Sequence, residues 1–172
     1  PAPEPGDGGN GGTPALNRRD HYAYIIGYPD GDVHPQGNIT RAEVATIFFR
    51  LLRDPVRTQY WSQTNGYSDV PGNKWYNNAV STLSNMGIIC GYPDGTFGPN
   101  NTIRRAEFMR ILTSMYGLTE RSDAYILWTD VRSDAWYAPC MGAGLLLPLY
   151  PGHYIYPEEP LTRLDAAYGC SL

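Results

Sequence analysis

Nowhere in the chain's 172 residues is there a run of about 18 apolar residues, so no segment reads as a membrane-spanning helix. There is no basic excess either. The 13 Lys and Arg stand against 17 Asp and Glu, a net charge of −4, which argues against the basic face of a nucleic-acid binder. Histidine is scarce: His21, His34 and His153 have no Cys, Asp or Ser at a recurrent spacing that suggests a triad or a metal site. The turn carboxylates Asp30, Asp32 and Asp94 lack the alternating oxygen ligands of a calcium loop. No cofactor is expected, and these absences together weigh against an enzyme. Cysteine is sparse too. Cys90, Cys140 and Cys170 are an odd number without metal-ligand spacing, which leaves one disulfide or three free thiols open. Phe occurs 4 times against 14 Tyr and 4 Trp, so the aromatic rings mostly carry a polar edge suited to half-exposed sites. The chain begins at Pro1 without an initiator Met or signal peptide, as expected of a processed protein or a fragment.

What the chain has in quantity is turn residues, 19 Gly and 15 Pro, and these repeat. Residues 27–31 and 91–95 both read GYPDG, a shift of 64 that also carries Pro35 to Pro99, Arg41 to Arg105 and Glu43 to Glu107. A worn third copy keeps Tyr150-Pro151, Pro157, Arg163 and Asp165, with six residues from Pro to Arg in every copy. Upstream, Asp69-Val70 precedes Trp75-Tyr76 just as Asp130-Val131 precedes Trp136-Tyr137.

Each part has a local physical meaning. Tyr28-Pro29-Asp30-Gly31 fits a type I turn, with Pro second and Gly fourth. Thr40-Arg41-Ala42-Glu43 reads as a capping box, Thr40 accepting from the first helical N–H groups and Glu43 reaching back; Glu107 takes that place in the second copy. Val44, Ile47, Phe48 and Leu51 then form one helical face, as do Phe108, Ile111, Leu112 and Met115. Tyr76, Ala79, Val80 and Leu83 form another, with Gly87 placed as its stop. One full repeat is therefore helix, turn-bearing loop, helix.

This order of motifs, over roughly residues 16–172, resembles the S-layer homology (SLH) repeat of bacterial surface-layer and envelope proteins. The resemblance implies a mainly α fold: three helix-loop-helix repeats in pseudo-threefold arrangement around a central three-helix bundle, with grooves between repeats and short β segments. The implied division is a Gly/Pro-rich tail (1–15), a partial first repeat with linker (16–60), a second repeat (61–122) and a degenerate third (123–172). It also implies an extracellular place on the bacterial cell surface. The implied ligand is a secondary cell-wall polysaccharide or peptidoglycan-linked glycan, often bearing ketal-linked pyruvate. By resemblance Arg41 and Arg105 take the carboxylate, Trp75 and Trp136 pack on sugar beside the backbone of Gly27 and Gly91, and Asp69 and Asp130 orient the groove. The chemistry suits this, since Arg forms charge-assisted, bidentate bonds to carboxylates and a helix start favours an anion. The plainer alternative is that the arginines pair with neighbouring carboxylates. For Trp75 and Trp136, which begin amphipathic helices, burial favours a core or groove-wall role over sugar stacking.

The copies are unequal. The first has Pro1–Pro14 and Leu16–Ile26 where its leading helix belongs, and His21–Ile26 reads as a short strand. The second has Arg104 in place of a capping Thr. The third turns through Leu149-Tyr150-Pro151-Gly152-His153, which favours type II, carries Pro139 upstream, and leaves few residues after Asp165 for its last helix. It reads as scaffold. A chain made almost wholly of repeats also suggests a self-assembling subunit of a layer, tube or filament. In that case the tail, too polar to order alone, docks on a neighbour, and His21–Tyr28 could add a strand to another chain.

Overall fold

The computed structural model describes residues 15–17, 23–118, 127–144, 147, 149–150 and 153–171. The tail of 1–14, His21, Tyr22 and the Pro151-Gly152 turn lie outside the described residues. Among the described residues six helices follow one another: α1 Arg41–Leu51, α2 Asp54–Tyr60, α3 Asn77–Asn85, α4 Arg105–Met115, α5 Ala138–Gly144 and α6 Arg163–Cys170. The fold is mainly α, and no helix among the described residues is long and apolar enough to cross a membrane.

The helix ends follow local chemistry. Thr40 Oγ1 accepts from the Glu43 N–H at 3.2 Å, and Glu43 Oε2 accepts from the Thr40 N–H at 2.8 Å, the complete capping box. Arg104 has no acceptor to offer, so α4 keeps only the returning arm, from the Arg104 N–H to Glu107 Oε2 at 2.9 Å. At the far ends, Gly87 (φ 72°) and Gly117 (φ 60°) take the left-handed conformation. Their N–H groups donate to Ser84 and Ser114, and the next residues, Ile88 and Leu118, to Leu83 and Thr113, which is the Schellman stop. The predicted stripes face the core, with Leu51 half-buried at its edge. Val44, Ile47, Phe48, Phe108, Ile111, Leu112, Met115, Tyr76, Ala79, Val80 and Leu83 are all buried. Phe48 and Phe108 stack at 5.9 Å, α3 packs on α1, α5 on α4, and α6 also reaches α4. Pro139 falls in the first turn of α5, where a missing N–H costs nothing.

Three segments preceding α1, α4 and α6 close a ring of backbone bonds. Ile39 N–H donates to the Leu161 carbonyl (3.1 Å), Leu161 to Ile103 (2.9 Å) and Ile103 to Ile39 (3.0 Å). All three residues are 0% exposed, so these bonds satisfy groups that water cannot reach. The same pairs of segments are joined again further out with the donors exchanged: Arg41 N–H donates to Asn101, Arg105 to Glu159, and Arg163 to Gly37.

Three expectations need correction. The short β segments amount to isolated antiparallel bridges, Leu16 with Leu52, Asn38 with Thr162, Thr40 with Thr102 and Arg104 with Pro160. Residues 23–26 form no strand, because their carbonyls serve side chains instead. Tyr24 O accepts from Arg50 Nη1 at 3.3 Å and Ile26 O from Arg163 Nη2 at 2.8 Å. The last helix is also less reduced than expected. With Thr162 Oγ1 accepting from the Asp165 N–H at 3.1 Å, α6 runs 8 residues against 11 in α1 and in α4. Helix α2, with Pro55 in its first turn and no buried residue, was not anticipated.

Candidate functional site

Helices α1, α4 and α6 each begin with an arginine that reaches into a neighbouring repeat. Arg41, 7% exposed, donates from Nε to the Phe97 carbonyl (2.8 Å), from Nη1 to Glu107 Oε1 (2.8 Å) and from Nη2 to the Cys90 carbonyl (3.0 Å). Its guanidinium lies 4.7 Å from the ring centres of both Tyr92 and Phe97. Tyr92 Oη donates to the same Glu107 oxygen at 3.1 Å. Arg163, 4% exposed, repeats the pattern on the first repeat, with Nε on the Val33 carbonyl, Nη2 on Ile26 and Nη1 on Glu43 Oε1 at 2.9 Å. Tyr28 Oη donates to that oxygen at 3.2 Å. Two buried arginine latches are thus fully engaged by the protein itself.

The third latch is open. Arg105 Nη1 reaches the Ile155 carbonyl at 3.2 Å, but Nη2 stands 3.8 Å from Asp165 Oδ2. Both Arg105 Nε and Asp165 Oδ2 are buried without a hydrogen-bond partner among the described residues. The cause is one methylene, since Asp165 sits where Glu43 and Glu107 sit in the other copies. Tyr150, beside this pair and 5.2 Å from the Arg105 guanidinium, has its hydroxyl pushed up to about 12 by burial and by the Asp165 carboxylate.

Asp69 and Asp130 brace the latch loops from behind. Asp69 accepts from the Phe97 and Gly98 N–H groups (2.7 and 2.8 Å), and Asp130 from Ile155 and Tyr156 (3.1 and 2.6 Å). They hold the N–H side of the residues whose carbonyls hold Arg41 and Arg105. Gly91 is a close approach: a Cβ there would meet the Thr96 carbonyl oxygen at 2.4 Å and the Tyr67 ring at 2.5 Å. At Gly27 the nearest atom, Asp32 O, is 3.0 Å away.

Two grooves lie in front of the closed latches. The larger, about 750 Å³, is lined by Cys90, Gly91, Tyr92, Glu107 and Arg110, and by Trp136. The smaller, about 230 Å³, is lined by Ile26, Gly27, Tyr28, Glu43 and Thr46, and by Trp75. The 64-residue shift carries the first five residues of one onto the first five of the other. Trp75 and Trp136 are 64% and 58% exposed, each edge-on to the following tyrosine at 5.2 and 5.4 Å. Their exposure excludes a core role and leaves them as groove rims with open faces. The structure brings Trp136, Gly91 and Arg41 to the first groove, and Trp75 and Gly27 to the second. Arg105 lines neither.

Sequence reasoning placed Tyr28 in a turn rather than in the site, and did not single out Tyr92, Arg50 or Arg110. The tyrosines were findable, since they recur in every copy. None of the three cysteines is in a disulfide: Cys90 is exposed, Cys140 buried and Cys170 half-buried, its thiol pushed up to about 12 by burial.

The S-layer homology domain family model matches residues 22–45 and 66–109, spanning the first latch loop and helix start, then α3, the second loop and the start of α4. The chain is similar to a cell surface glycoprotein of Acetivibrio thermocellus, at 44% identity over 94 residues, 54% of this chain and 4% of that protein. A cellulosome-anchoring protein of the same organism is 33% identical over 156 residues, 86% of this chain and 34% of that protein. An amylopullulanase of Thermoanaerobacterium thermosulfurigenes is 34% identical over 152 residues, 83% of this chain but 8% of the enzyme. The chain therefore spans about a third or less of the length of these relatives. Its repeats, its latches and these likenesses agree: the chain is an S-layer homology domain protein of the bacterial cell surface.

Proposed function

We propose that this chain is a non-catalytic module that binds cell-wall polysaccharide non-covalently in its inter-repeat grooves. The observation that carries the reading is the pair of equivalent grooves, each lined by a solvent-exposed Trp and by polar residues. An exposed indole face beside a cleft suits the C–H face of a sugar, and a concave site with a few convergent polar groups suits a ligand of that size. In this reading Trp75 and Trp136 are the sugar platforms, and Gly27 and Gly91 keep the groove floors open. Asp69 and Asp130 hold the loops, Arg41 forms a back wall, and Arg105 keeps a donor for a carboxylate at the open latch. The module is a pseudo-threefold trimer of repeats around α1, α4 and α6, divided as 16–60, 61–122 and 123–172. The cyclic bonds of Ile39, Ile103 and Leu161 support that symmetry. The recurrence of such a stretch in relatives of different names, at 34% of one and 8% of another, fits an appended binding module. Polysaccharide released from purified sacculi should shift and quench the tryptophan fluorescence of the parent chain. The Trp75→Phe/Trp136→Phe double variant should lose the response, and an unchanged response would sink the reading.

Self-association is the second reading, and one surface favours it. Ala42 and Ala106, equivalent positions on α1 and α4, are 1% exposed, whereas Leu164 on α6 is 51% exposed. A second copy covering that face would give head-to-tail assembly. Sedimentation at high concentration should then show oligomers that Leu164→Glu abolishes; a monomer throughout would refute it.

A further inference from the structure

We infer that the smaller groove continues into a second saccharide subsite on the first latch loop, built on His34 and taking an uncharged sugar unit. The inference rests on the groove reading above. The latch loop passes through a left-handed residue at the same place in every copy, and the second copy meets that need with glycine, Gly98 at φ 68°. The 64-residue shift sets His34 there in the first copy, at φ 49°. A residue with a Cβ is strained in that conformation, so the turn itself asks for no side chain. Packing does not ask for one either, since His34 is exposed. The third copy also mounts a ring at this position, Tyr156 at φ 52°, stacked on Tyr154 at 5.9 Å with both more than half exposed.

The His34 ring is held in place. Its Nε2 lies 2.7 Å from Asp30 Oδ2, and its ring centre lies 5.1 Å from that of Tyr28, tilted by 53°. With Tyr28, Asp32, Pro35, Gln36 and Gly37 it lines a depression of about 480 Å³. Tyr28 also lines the smaller groove, so a glycan lying there has a path across the tyrosine onto the histidine. The lining suits a sugar: two rings for a C–H face, the Gln36 amide to donate and accept, and a carboxylate for hydroxyl donors. Asp32 Oδ1 accepts from the Val33 and His34 N–H groups at 2.6 and 3.2 Å, while Oδ2 has no donor among the described residues. The bonds from His34 and Val33 hold the Asp32 carboxyl below the usual carboxylate range. Among the described residues, no Lys or Arg lines the depression. A carboxylate-bearing unit would meet Asp32 with no Lys or Arg to offset the repulsion, which selects an uncharged one.

The test is titration calorimetry of the whole chain with two probes: polysaccharide released from purified sacculi, and the same polysaccharide with its carboxylates reduced to alcohols. His34→Gly gives the first loop the residue of the second, so the fold should persist, checked by an unchanged or higher thermal midpoint. His34→Asn tolerates the same backbone and removes the ring without loosening the loop. Each should bind the released polysaccharide about fivefold more weakly than the parent, the worth of one ring contact. Adding Gln36→Ala should take the loss to about tenfold or more. The same factors should hold for the reduced probe; factors that vanish on reduction would show a charged unit and overturn the assignment. Should the His34 variants bind like the parent while Trp75→Ala/Trp136→Ala loses binding, the grooves bind and this subsite is wrong. Should neither set matter, the groove reading falls and takes this one with it.

Discussion

Replacing Asp165 by Glu adds one methylene to the only open latch, and its effect follows from the two closed ones. Arg41–Glu107 and Arg163–Glu43 meet at 2.8 and 2.9 Å, while Arg105 Nη2 and Asp165 Oδ2 stand 3.8 Å apart. The deficit is about 1 Å, less than a carbon–carbon bond adds. The longer carboxylate should reach Arg105 and come within range of the Tyr150 hydroxyl, as Glu107 does with Tyr92. A charge-assisted bond contributes roughly 1.5–3 kcal/mol when buried. The pair is 22% and 30% exposed, so screening and the extra rotamer freedom of Glu reduce the net to about 1 kcal/mol. In a domain of this size that is a rise of about 2–4 °C in Tm. Urea titration should show a higher midpoint at unchanged slope. The reverse swap, Glu107→Asp, should cost about 1–3 kcal/mol, since it breaks a buried pair and slackens a helix cap. A neutral Asp165→Glu together with a neutral Glu107→Asp would refute the view that these pairs lock the repeats.

Three further outcomes follow. Arg104→Thr should restore the missing arm of the α4 capping box and gain up to about 1 kcal/mol, because the Glu158 pair it gives up is solvent-exposed and worth little; a loss of stability in urea would contradict this. Gly91→Ala should cost more than about 2 kcal/mol, since its Cβ would strike a backbone oxygen and a half-buried ring, whereas Gly27→Ala should be milder; equal costs by thermal denaturation would argue against the close approach. At pH 8 a disulfide-exchange reagent should titrate Cys90 rapidly and leave Cys140 and Cys170 until the chain is unfolded in urea; three fast thiols in the native protein would refute the burial assigned to the latter two.

Much of the fold was legible because its signals are local. Capping by Thr40 and Glu43 spans three residues, the stripes of α1 and α4 span seven, and the stop at Gly87 needs only a left-handed turn. The 64-residue shift then placed equivalent parts together. What could not be read locally was direction. An arginine at a helix start looks the same whether it faces solvent or the core. Arg41 turns inward because Cys90, Phe97 and Glu107, 49 to 66 residues away, supply its acceptors. For Trp75 and Trp136, read as core or groove wall, only the groove-wall alternative fits their exposure. Their large apolar area argued for burial, but each follows a loop that lifts it onto a groove rim and leaves the next residue, Tyr76 or Tyr137, to enter the core. The strand expected before Tyr28 failed for a related reason, since distant arginines use the carbonyls a partner strand would have needed.

Co-sedimentation with sacculi tests the central claim most directly. The chain should pellet with intact sacculi and stay in solution with sacculi stripped of their polysaccharide. Equal binding to both, or binding to neither, would contradict a glycan-binding role for the grooves.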